Sequence, residues 1–158
     1  MPAIYLRPYA TADNEAIFCL FYDTVHTVNA AHYPTEQLAV WARADTDSTV
    51  WCQPFATDYT LVAIDDDTIG IVGFGNLTAD GELDRLYIHK DYQRRGIATK
   101  IADGLEQQTV KQGLSRIATY ASLTAQPFFE GRGYVVVREN IVERDGQRLK
   151  NFYMEKKL

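Results

Sequence analysis

The sequence predicts an α/β fold built on one mixed sheet. Its apolar patterns follow one another as a strand, two helices, three strands, a helix, a strand, a short helix and two strands. Polar turns at Asp65–Asp67 and Thr78–Gly81 join the second, third and fourth strands as antiparallel neighbours. An amphipathic helix separates the fourth strand from the fifth, and a crossover of this kind makes the two strands parallel. The sheet should therefore be antiparallel in its first half, with a parallel pair at its centre.

The N-terminal part of the chain predicts one strand and two helices. Ile4–Pro8 has the pattern of a short strand, and Thr11 or Asp13 can cap the helix that follows it. Thr35 can cap a second, shorter helix. Asp45–Thr57 has no clear period, and we expect an irregular connection there.

The remaining strands are apolar runs between turn signals. They are Tyr59–Ile64, Thr68–Leu77, Glu82–His89, Ser115–Ser122, Tyr134–Ile141 and Leu149–Lys156, with a short helix from Ala125 to Glu130. Gly70, Gly73 and Gly75 indicate a twisted or closely packed strand, because their spacing is not that of a phosphate loop. Asp145-Gly146 is typical of a two-residue hairpin turn before the last strand.

Length and composition are those of one globular domain over residues 1–158. Hydrophobic residues make up 46% and charged residues 23%, and the net charge of −5 argues against nucleic acid as a partner. That charge is compatible with a cationic amine as substrate. Cys19 and Cys52 are the only cysteines, and no secretory leader or membrane-spanning run is expected, so we predict a cytoplasmic protein. No group of His, Cys, Asp and Glu has metal-ligand spacing, and we expect no metal.

The segment Gln93–Thr99 has the features of an anion-binding turn. It precedes a helix in which Ile97, Ile101 and Leu105 form one apolar stripe. The first N–H groups of a helix have no internal partner, and Gly96 and Ala98 leave them open to a phosphate. Three cations, Arg94, Arg95 and Lys100, add positive charge. The alternative is an ordinary basic turn, since the segment is neither a Walker A loop nor Gly-x-Gly-x-x-Gly.

The context of this turn resembles the central motif of the GNAT acyltransferases. Leu86–Ala98, which reads LYIHKDYQRRGIA, has the strand end, turn and Gln/Arg-x-x-Gly-x-Gly/Ala pattern of that superfamily. Ala125–Tyr134 resembles its later signature, which ends in Gly followed by an aromatic residue. His32–Pro34, Ala39–Ala42 and Asn151–Met154 resemble the YafP-type bacterial subgroup, so the resemblance covers nearly the whole chain.

The resemblance implies a twisted GNAT-like sheet with helices on both faces and a central parallel pair that splays apart. It implies acetyl-coenzyme A as co-substrate, with the pantetheine in the gap between the splayed strands. The backbone of Ile88 is the expected oxyanion donor. The residues expected to bind the cofactor are Leu86, Tyr87, Ile88, Arg94, Arg95, Gly96, Ile97, Ala98, Thr99, Ser122, Phe128 and Phe129.

The chain departs from the family pattern at the general acid. Many GNAT proteins have a tyrosine four residues before the glycine of the later signature, and Phe129 stands there. Ser122 stands where the family often has asparagine. Tyr120, Tyr153 and Ser122 are possible substitutes, and the thiolate can also leave without an acid, given a thiol pKa of about 8.5.

Asp84, followed by Glu82, is our first expectation for the base that accepts the amine proton. In a regular strand these two carboxylates share one face, although they can also be ordinary surface residues at a strand end. His26, His32 and Tyr33 form a second set, on the helices that cover the acceptor site in this superfamily. Together with Trp41 they are expected to bind the acceptor.

The sequence thus predicts an N-acetyltransferase that moves the acetyl group directly to a small-molecule or peptide amine within a ternary complex. The alternative is a coenzyme A-binding module with weak catalysis that serves in regulation or partner binding, and Phe129 favours it. A homodimer is possible on either interpretation.

Overall fold

The protein forms one seven-stranded sheet with the order β1-β2-β3-β4-β5-β7-β6. A computed structural model describes residues 4–67 and 70–158. The strands are Ile4–Pro8 (β1), Tyr59–Asp65 (β2), Gly70–Leu77 (β3), Glu82–Ile88 (β4), Arg116–Ser122 (β5), Val135–Arg144 (β6) and Gln147–Lys157 (β7). The first two residues predicted for the third strand, Thr68 and Ile69, lie outside the described residues. All neighbouring strands are antiparallel except β4 and β5, as the sequence predicts.

Five α-helices accompany the sheet in the described part of the chain. They are Asn14–Thr27 (α1), Thr35–Trp41 (α2), Ser48–Trp51 (α3), Ile97–Lys111 (α4) and Gln126–Gly131 (α5). The expectation of an irregular connection at Asp45–Thr57 was wrong, because this segment contains α3 and a 3-10 turn at Gln53–Ala56. The overlooked signal is Asp47, whose carboxylate accepts a hydrogen bond from the N–H of Thr49 at 2.9 Å.

The predicted turns and caps have different outcomes. Gly113 follows α4 with φ 83°, and Asp145 and Gly146 both have positive φ, as a type I′ hairpin turn requires. Asp13 precedes α1, but its carboxylate binds the guanidinium of Arg7 and does not cap the helix. Thr35 is the first residue of α2 and not its cap. The N-cap position of α5 is occupied by Ala125, whose own N–H donates to Oγ of Ser122 at 3.0 Å.

Helices cover both faces of the sheet, and alternating strand residues divide the core between them. Leu61 and Ala63 of β2 pack in the cluster that includes α4, whereas Val62 and Ile64 pack in the cluster that includes α1. The glycines of β3 allow this packing to be close. A Cβ at Gly75 would lie 2.9 Å from Cγ2 of Ile101, so the prediction of a closely packed strand is confirmed there.

A β-bulge interrupts the pairing of β3 with β4. Asn76 pairs with Arg85, but the next residue, Leu77, pairs with Leu83, so β4 contains one extra residue, Asp84. The fully buried side chain of Asn76 compensates for the missing ladder bonds. Its Oδ1 accepts from the N–H of Arg85 at 3.0 Å, and its Nδ2 donates to Asp84 at 3.4 Å.

The two parallel strands separate directly after this bulge. β4 and β5 are paired only at Glu82 with Ala118 and at Leu83 with Thr119. The hydroxyl of Thr119 donates to the carbonyl of Leu83 at 2.8 Å. From there to its end at Ile88, β4 has no partner strand on the β5 side, so the expected splay is present.

We predict that Asn76→Ala lowers the free energy of unfolding by about 1–3 kcal/mol, because the buried N–H of Arg85 loses its acceptor. Urea unfolding followed by circular dichroism measures this effect. Gln108→Ala is the control, because that amide bonds only Gln112 at the surface. Equal midpoints for the two variants would contradict the role given to Asn76.

Candidate functional site

A groove of about 1220 Å³ opens where β4 and β5 diverge. The end of β4 forms its floor, and the β6–β7 hairpin contributes one wall. We call the part formed by Gln93–Thr99, Phe128 and Phe129 the loop side of the groove. We call the part formed by Phe21, Tyr33, Trp41, Trp51 and Tyr87 its aromatic side.

The backbone of β4 presents free polar groups to the groove. The N–H of His89 donates to the carbonyl of Val72 on β3 at 2.9 Å. Antiparallel bonding alternates along a strand, so the N–H and C=O of Leu86 and Ile88 point away from β3 and into the gap. These are the two residues whose backbone the sequence predicts to face the ligand.

Two side chains from different parts of the groove donate hydrogen bonds to the carbonyl of Ile88 and fix its position. The hydroxyl of Thr24 on α1 donates to it at 2.9 Å, and the amide of Gln93 donates to it at 2.7 Å. Gln93 therefore ties the turn before α4 to the end of β4. This bond keeps the loop side in a fixed position relative to the strand.

The turn before α4 exposes three helix N–H groups. The first backbone bond of this helix runs from Lys100 to Gly96, so the N–H groups of Ile97, Ala98 and Thr99 have no acceptor within it. Gly96 has φ 77°, and a Cβ placed there would meet nothing within 4 Å. An anion can thus approach these N–H groups closely, and the dipole of a 15-residue helix favours it.

The three predicted cations of this turn are not equivalent. Arg94, which has φ 60°, lines the groove. Arg95 lies outside it, with its guanidinium 4.6 Å from the ring centre of Tyr92. Lys100 donates to the carbonyl of Ile4 at 3.3 Å, away from the groove.

The helix α5 closes the loop side with aromatic rings. Phe129 is only 2% exposed and packs against Phe128 and Tyr134 at ring-centre distances of 5.2 and 4.9 Å. Ser122 also lines the groove, and its Oγ accepts from the N–H of Ala125 at 3.0 Å. The hydroxyl of Ser122 can therefore still donate a hydrogen bond to another acceptor.

The aromatic side is a connected set of rings. Phe21 stacks on Trp51 at 4.4 Å and meets Tyr87 edge-on at 5.0 Å, and Tyr33 meets Trp41 at 5.0 Å. Burial raises the pKa of the Tyr87 phenol to about 12, although the indole N–H of Trp41 counteracts this. Tyr87 therefore remains neutral at physiological pH.

Tyr33 has a structural role in the groove wall. Its hydroxyl donates to the carbonyl of Lys150 on β7 at 2.6 Å and accepts from the N–H of Leu123, just after β5, at 2.9 Å. Burial raises its pKa. Next to it, Nδ1 of His32 lies 2.9 Å from the hydroxyl oxygen of Thr124. Both predicted acceptor-site residues line the groove, but the hydroxyl of Tyr33 is already engaged by the backbone.

Asp84 brings a carboxylate to the groove, and Glu82 lies behind it. Burial raises the pKa of Glu82, and the nearby carboxylates of Asp84 and Asp80 raise it further. The bulge means that the strand is not regular between Glu82 and Asp84, contrary to our assumption, yet the two side chains still interact.

Two other predicted residues lie away from the groove. Nε2 of His26 is 2.8 Å from the carbonyl of Ala42, and its ring lies 4.3 Å from that of Tyr22. The hydroxyl of Tyr153 donates to Glu155 at 3.0 Å, and its side chain lines a separate, smaller cavity with Glu82, Ala118 and Tyr120. Neither His26 nor Tyr153 lines the groove between β4 and β5.

Among the groove-lining residues that the sequence did not predict are Trp51, Arg85 and Arg144. Arg85 lies two residues before Tyr87 on the same face of β4, with its guanidinium over the ring of Trp51, and no local pattern marks this contact in advance. Arg144 lies at the end of β6 and reaches the groove only because the hairpin folds back.

Among residues 4–67 and 70–158, no group of three or more His, Cys, Asp and Glu side chains is arranged to hold a metal ion. In the same residues, no helix is long and apolar enough to span a bilayer.

The sequence model of the acetyltransferase (GNAT) domain matches residues 29–158. This match covers most of the chain and contains the whole turn before α4. The chain belongs to the GNAT acetyltransferase family. The resemblance found in the sequence motifs is therefore confirmed.

GNAT relatives match the chain over nearly its full length. The uncharacterized N-acetyltransferase YafP of Escherichia coli K12 is 29% identical over 158 residues, which are 99% of this chain and 98% of that protein. A GCN5-related N-acetyltransferase structure from Rhodopseudomonas palustris is 33% identical, with a TM-score of 0.91 over 100% of this chain and 96% of the other. PaiA N-acetyltransferase from Thermoplasma acidophilum, crystallised with coenzyme A, shares the fold at 23% identity, with a TM-score of 0.76 over 99% of both chains.

We predict that Tyr33→Phe lowers the free energy of unfolding by about 1–3 kcal/mol, since the N–H of Leu123 loses its acceptor. Tyr153→Phe is the matched control, because its hydroxyl contacts only the carboxylate of Glu155. Thermal unfolding of both variants measures the difference. A larger loss in the control would show that the hydroxyl of Tyr33 does not hold the groove wall together.

Proposed function

We propose that this GNAT protein transfers the acetyl group of acetyl-coenzyme A directly to an amine within a ternary complex. The observation that carries the proposal is the gap between β4 and β5, which leads from free strand N–H groups to the open N-terminus of α4. The coenzyme A in the PaiA structure, which has the same fold, supports this choice of co-substrate.

The loop side of the groove suits the cofactor. Ile97, Ala98 and Thr99 offer their N–H groups to the pyrophosphate, and Arg94 adds a full charge. Leu86 directs its N–H and C=O into the gap, where the pantetheine amides need partners, whereas Ile88 has only its N–H available because its carbonyl already accepts two hydrogen bonds. Tyr87 and Phe128 contribute lining surface on either side of this path.

The N–H of Ile88 is the proposed oxyanion donor. When an amine attacks the thioester carbonyl carbon, a C–N bond forms and negative charge develops on the carbonyl oxygen. A preorganised N–H on a rigid strand stabilises that charge. The bonds from Thr24 and Gln93 to the carbonyl of Ile88 hold this peptide segment in place.

The leaving sulfur takes the electrons of the broken C–S bond, and the hydroxyl of Ser122 is the proposed hydrogen-bond donor that stabilises the thiolate. Its hydroxyl lines the groove and has its proton free. Phe129 has no proton to give, and it acts as an apolar wall. Because a thiol with a pKa of about 8.5 is a fair leaving group, loss of Ser122 should be tolerated better than loss of the base.

Asp84 is the proposed acceptor of the amine proton, with Glu82 as its neighbour. Asp84 lines the groove, whereas Glu82 reaches it only through Asp84. Burial and carboxylate repulsion raise the pKa of Glu82, so Glu82 is a better base than a solvated carboxylate for a proton passed on by Asp84. A water between the amine and the pair can relay the proton.

We predict that Thr99→Glu abolishes binding of coenzyme A and leaves the protein folded. A glutamate in the first turn of α4 favours the helix dipole, but its charge repels a bound phosphate. We prefer this test to a substitution at Gly96, because φ 77° would strain any other residue there.

Thr99→Gln is the control, since it has the same size without the charge. Thermal shift measures binding, and a hundredfold excess over Kd should stabilise the wild type by about 2.7 kcal/mol. Normal binding by Thr99→Glu would reject the phosphate assignment.

We predict that Asp84→Asn lowers kcat by about 10²-fold or more, as loss of a general base does, with coenzyme A binding unchanged. The activity of the wild type should fall as pH drops through the raised pKa of Glu82. In the variant that acidic limb should move to lower pH, because Glu82 no longer feels the charge of Asp84.

Asp80→Asn is the matched control, because Asp80 also raises the pKa of Glu82 but does not line the groove. The measurement is thiol release from acetyl-coenzyme A with an amine panel. Full activity of Asp84→Asn would exclude it as the base. Binding of coenzyme A without any turnover would favour the alternative of a catalytically weak binding module, which the phenylalanine at position 129 already suggests.

A further inference from the structure

The proposed acetyl transfer leaves two arginines on the aromatic side of the groove without a role. Arg85 and Arg144 both line the groove, together with Asp84 and the rings of Trp41 and Trp51. An amine acceptor alone gives no reason for cations here, because its ammonium form is repelled by them. Their presence indicates that the acceptor has an anionic group as well.

Arg85 is held in a fixed position with part of its charge unsatisfied. Its guanidinium carbon lies 4.0 Å from the ring centre of Trp51, and Nη1 donates to the carbonyl of Trp51 at 2.8 Å. The nearest carboxylate is Asp84, whose Oδ2 is 3.9 Å from Nε, too far for a hydrogen bond. The side chain is 23% exposed, so it is shielded from water but accessible from the groove.

Arg144 lacks the carboxylate partner that several cations near it have. Three neighbouring cations each have a carboxylate partner: Arg148 with Glu143, Lys150 with Glu139, and Arg43 with Asp145. Within the described residues, the exposed guanidinium of Arg144 has no ion pair or hydrogen bond. It faces the groove from β6, opposite Arg85 on β4.

The guanidinium groups of Arg85 and Arg144 and the carboxylate of Asp84 all face this part of the groove. Burial lowers the pKa of Arg85, the charge of Asp84 counteracts this, and the positive charge of Arg144, which lines the same groove, adds a smaller repulsion. An anion between them relieves this repulsion. Asp84 lies beside Arg85, and so places a negative charge next to the positive pair.

We propose that the acceptor is an amino acid, with its carboxylate held between Arg85 and Arg144, its amine next to Asp84 and its side chain against the ring of Trp41. This inference rests on the proposed function and names its substrate class. Arginine suits a carboxylate because two parallel N–H groups can bind both oxygens. An apolar or aromatic amino acid fits best, because rings dominate this side of the groove.

The two tryptophans give a direct measurement of acceptor binding. The chain has only two, Trp41 and Trp51, and both line the groove. We would titrate coenzyme A-saturated protein with L-leucine, L-methionine and L-phenylalanine, following tryptophan fluorescence. The comparison ligands are the amide of each amino acid and the corresponding decarboxylated amine. We expect the amino acids to bind about tenfold tighter or more, since a charge-assisted contact is lost in both comparison sets.

Arg144→Glu is the main variant, because this exposed residue can change without disturbing the core. It should remove the preference for the carboxylate and weaken amino-acid binding about tenfold, with the coenzyme A thermal shift unchanged. Arg148→Glu is the matched control on the same hairpin, since Arg148 does not line the groove. Arg85→Lys tests the second cation: it keeps the charge, but it should lose much of the affinity because a lysine cannot form the paired bonds.

Acetylation of the same panel separates this inference from the proposed function. If neutral amines and amides are acetylated as well as the amino acids, the inference is wrong and the proposed function stands. If the amino acids cause no fluorescence change up to millimolar concentration, or bind no better than their amides, the inference is also wrong. A protein that shows no thermal shift with coenzyme A would overturn both.

Discussion

The site depends on one extra residue in β4. Asp84 breaks the register with β3 and places Leu83 opposite Leu77, and the pairing of β4 with β5 stops at the same point. The parallel ladder ends after two residue pairs, and Leu86 and Ile88 keep backbone groups that a regular sheet would consume. The buried amide of Asn76 stabilises the bulge, because it supplies a hydrogen-bond acceptor where the ladder has none.

Positive potential in the groove comes from two different sources. On the loop side, positive potential comes from peptide groups at the start of α4, which cannot be removed by changing a side chain. On the aromatic side, it comes from individual guanidinium groups set among rings, next to a carboxylate pair. The first arrangement suits a constant partner such as a pyrophosphate, and the second can be adjusted residue by residue.

Local sequence patterns were enough to predict the order of elements, the parallel pair and the turn before α4. Apolar periodicity, the glycine at position 96 and the Asp145-Gly146 turn act within a few residues. The bulge could not be predicted, because it follows from the match between two strands and not from either alone. The place of Arg144 in the groove could not be predicted for a similar reason, because the hairpin brings it there from a position 59 residues after Arg85. His26 looked like an acceptor ligand in the sequence, but the carbonyl of Ala42 is its actual partner.

The position of β6 at the edge of the sheet has a further consequence for how this scaffold can diversify. β6 is bonded only to β7, and most of its residues are exposed, so a substitution there disturbs one neighbour. The end of β4 instead lies at the centre of the sheet, with buried side chains at Leu83 and Ile88, so a substitution there disturbs more neighbours. On the proposal that Arg144 helps to bind the acceptor, the edge strand can change to suit another acceptor at low cost in stability while the central strand stays as it is.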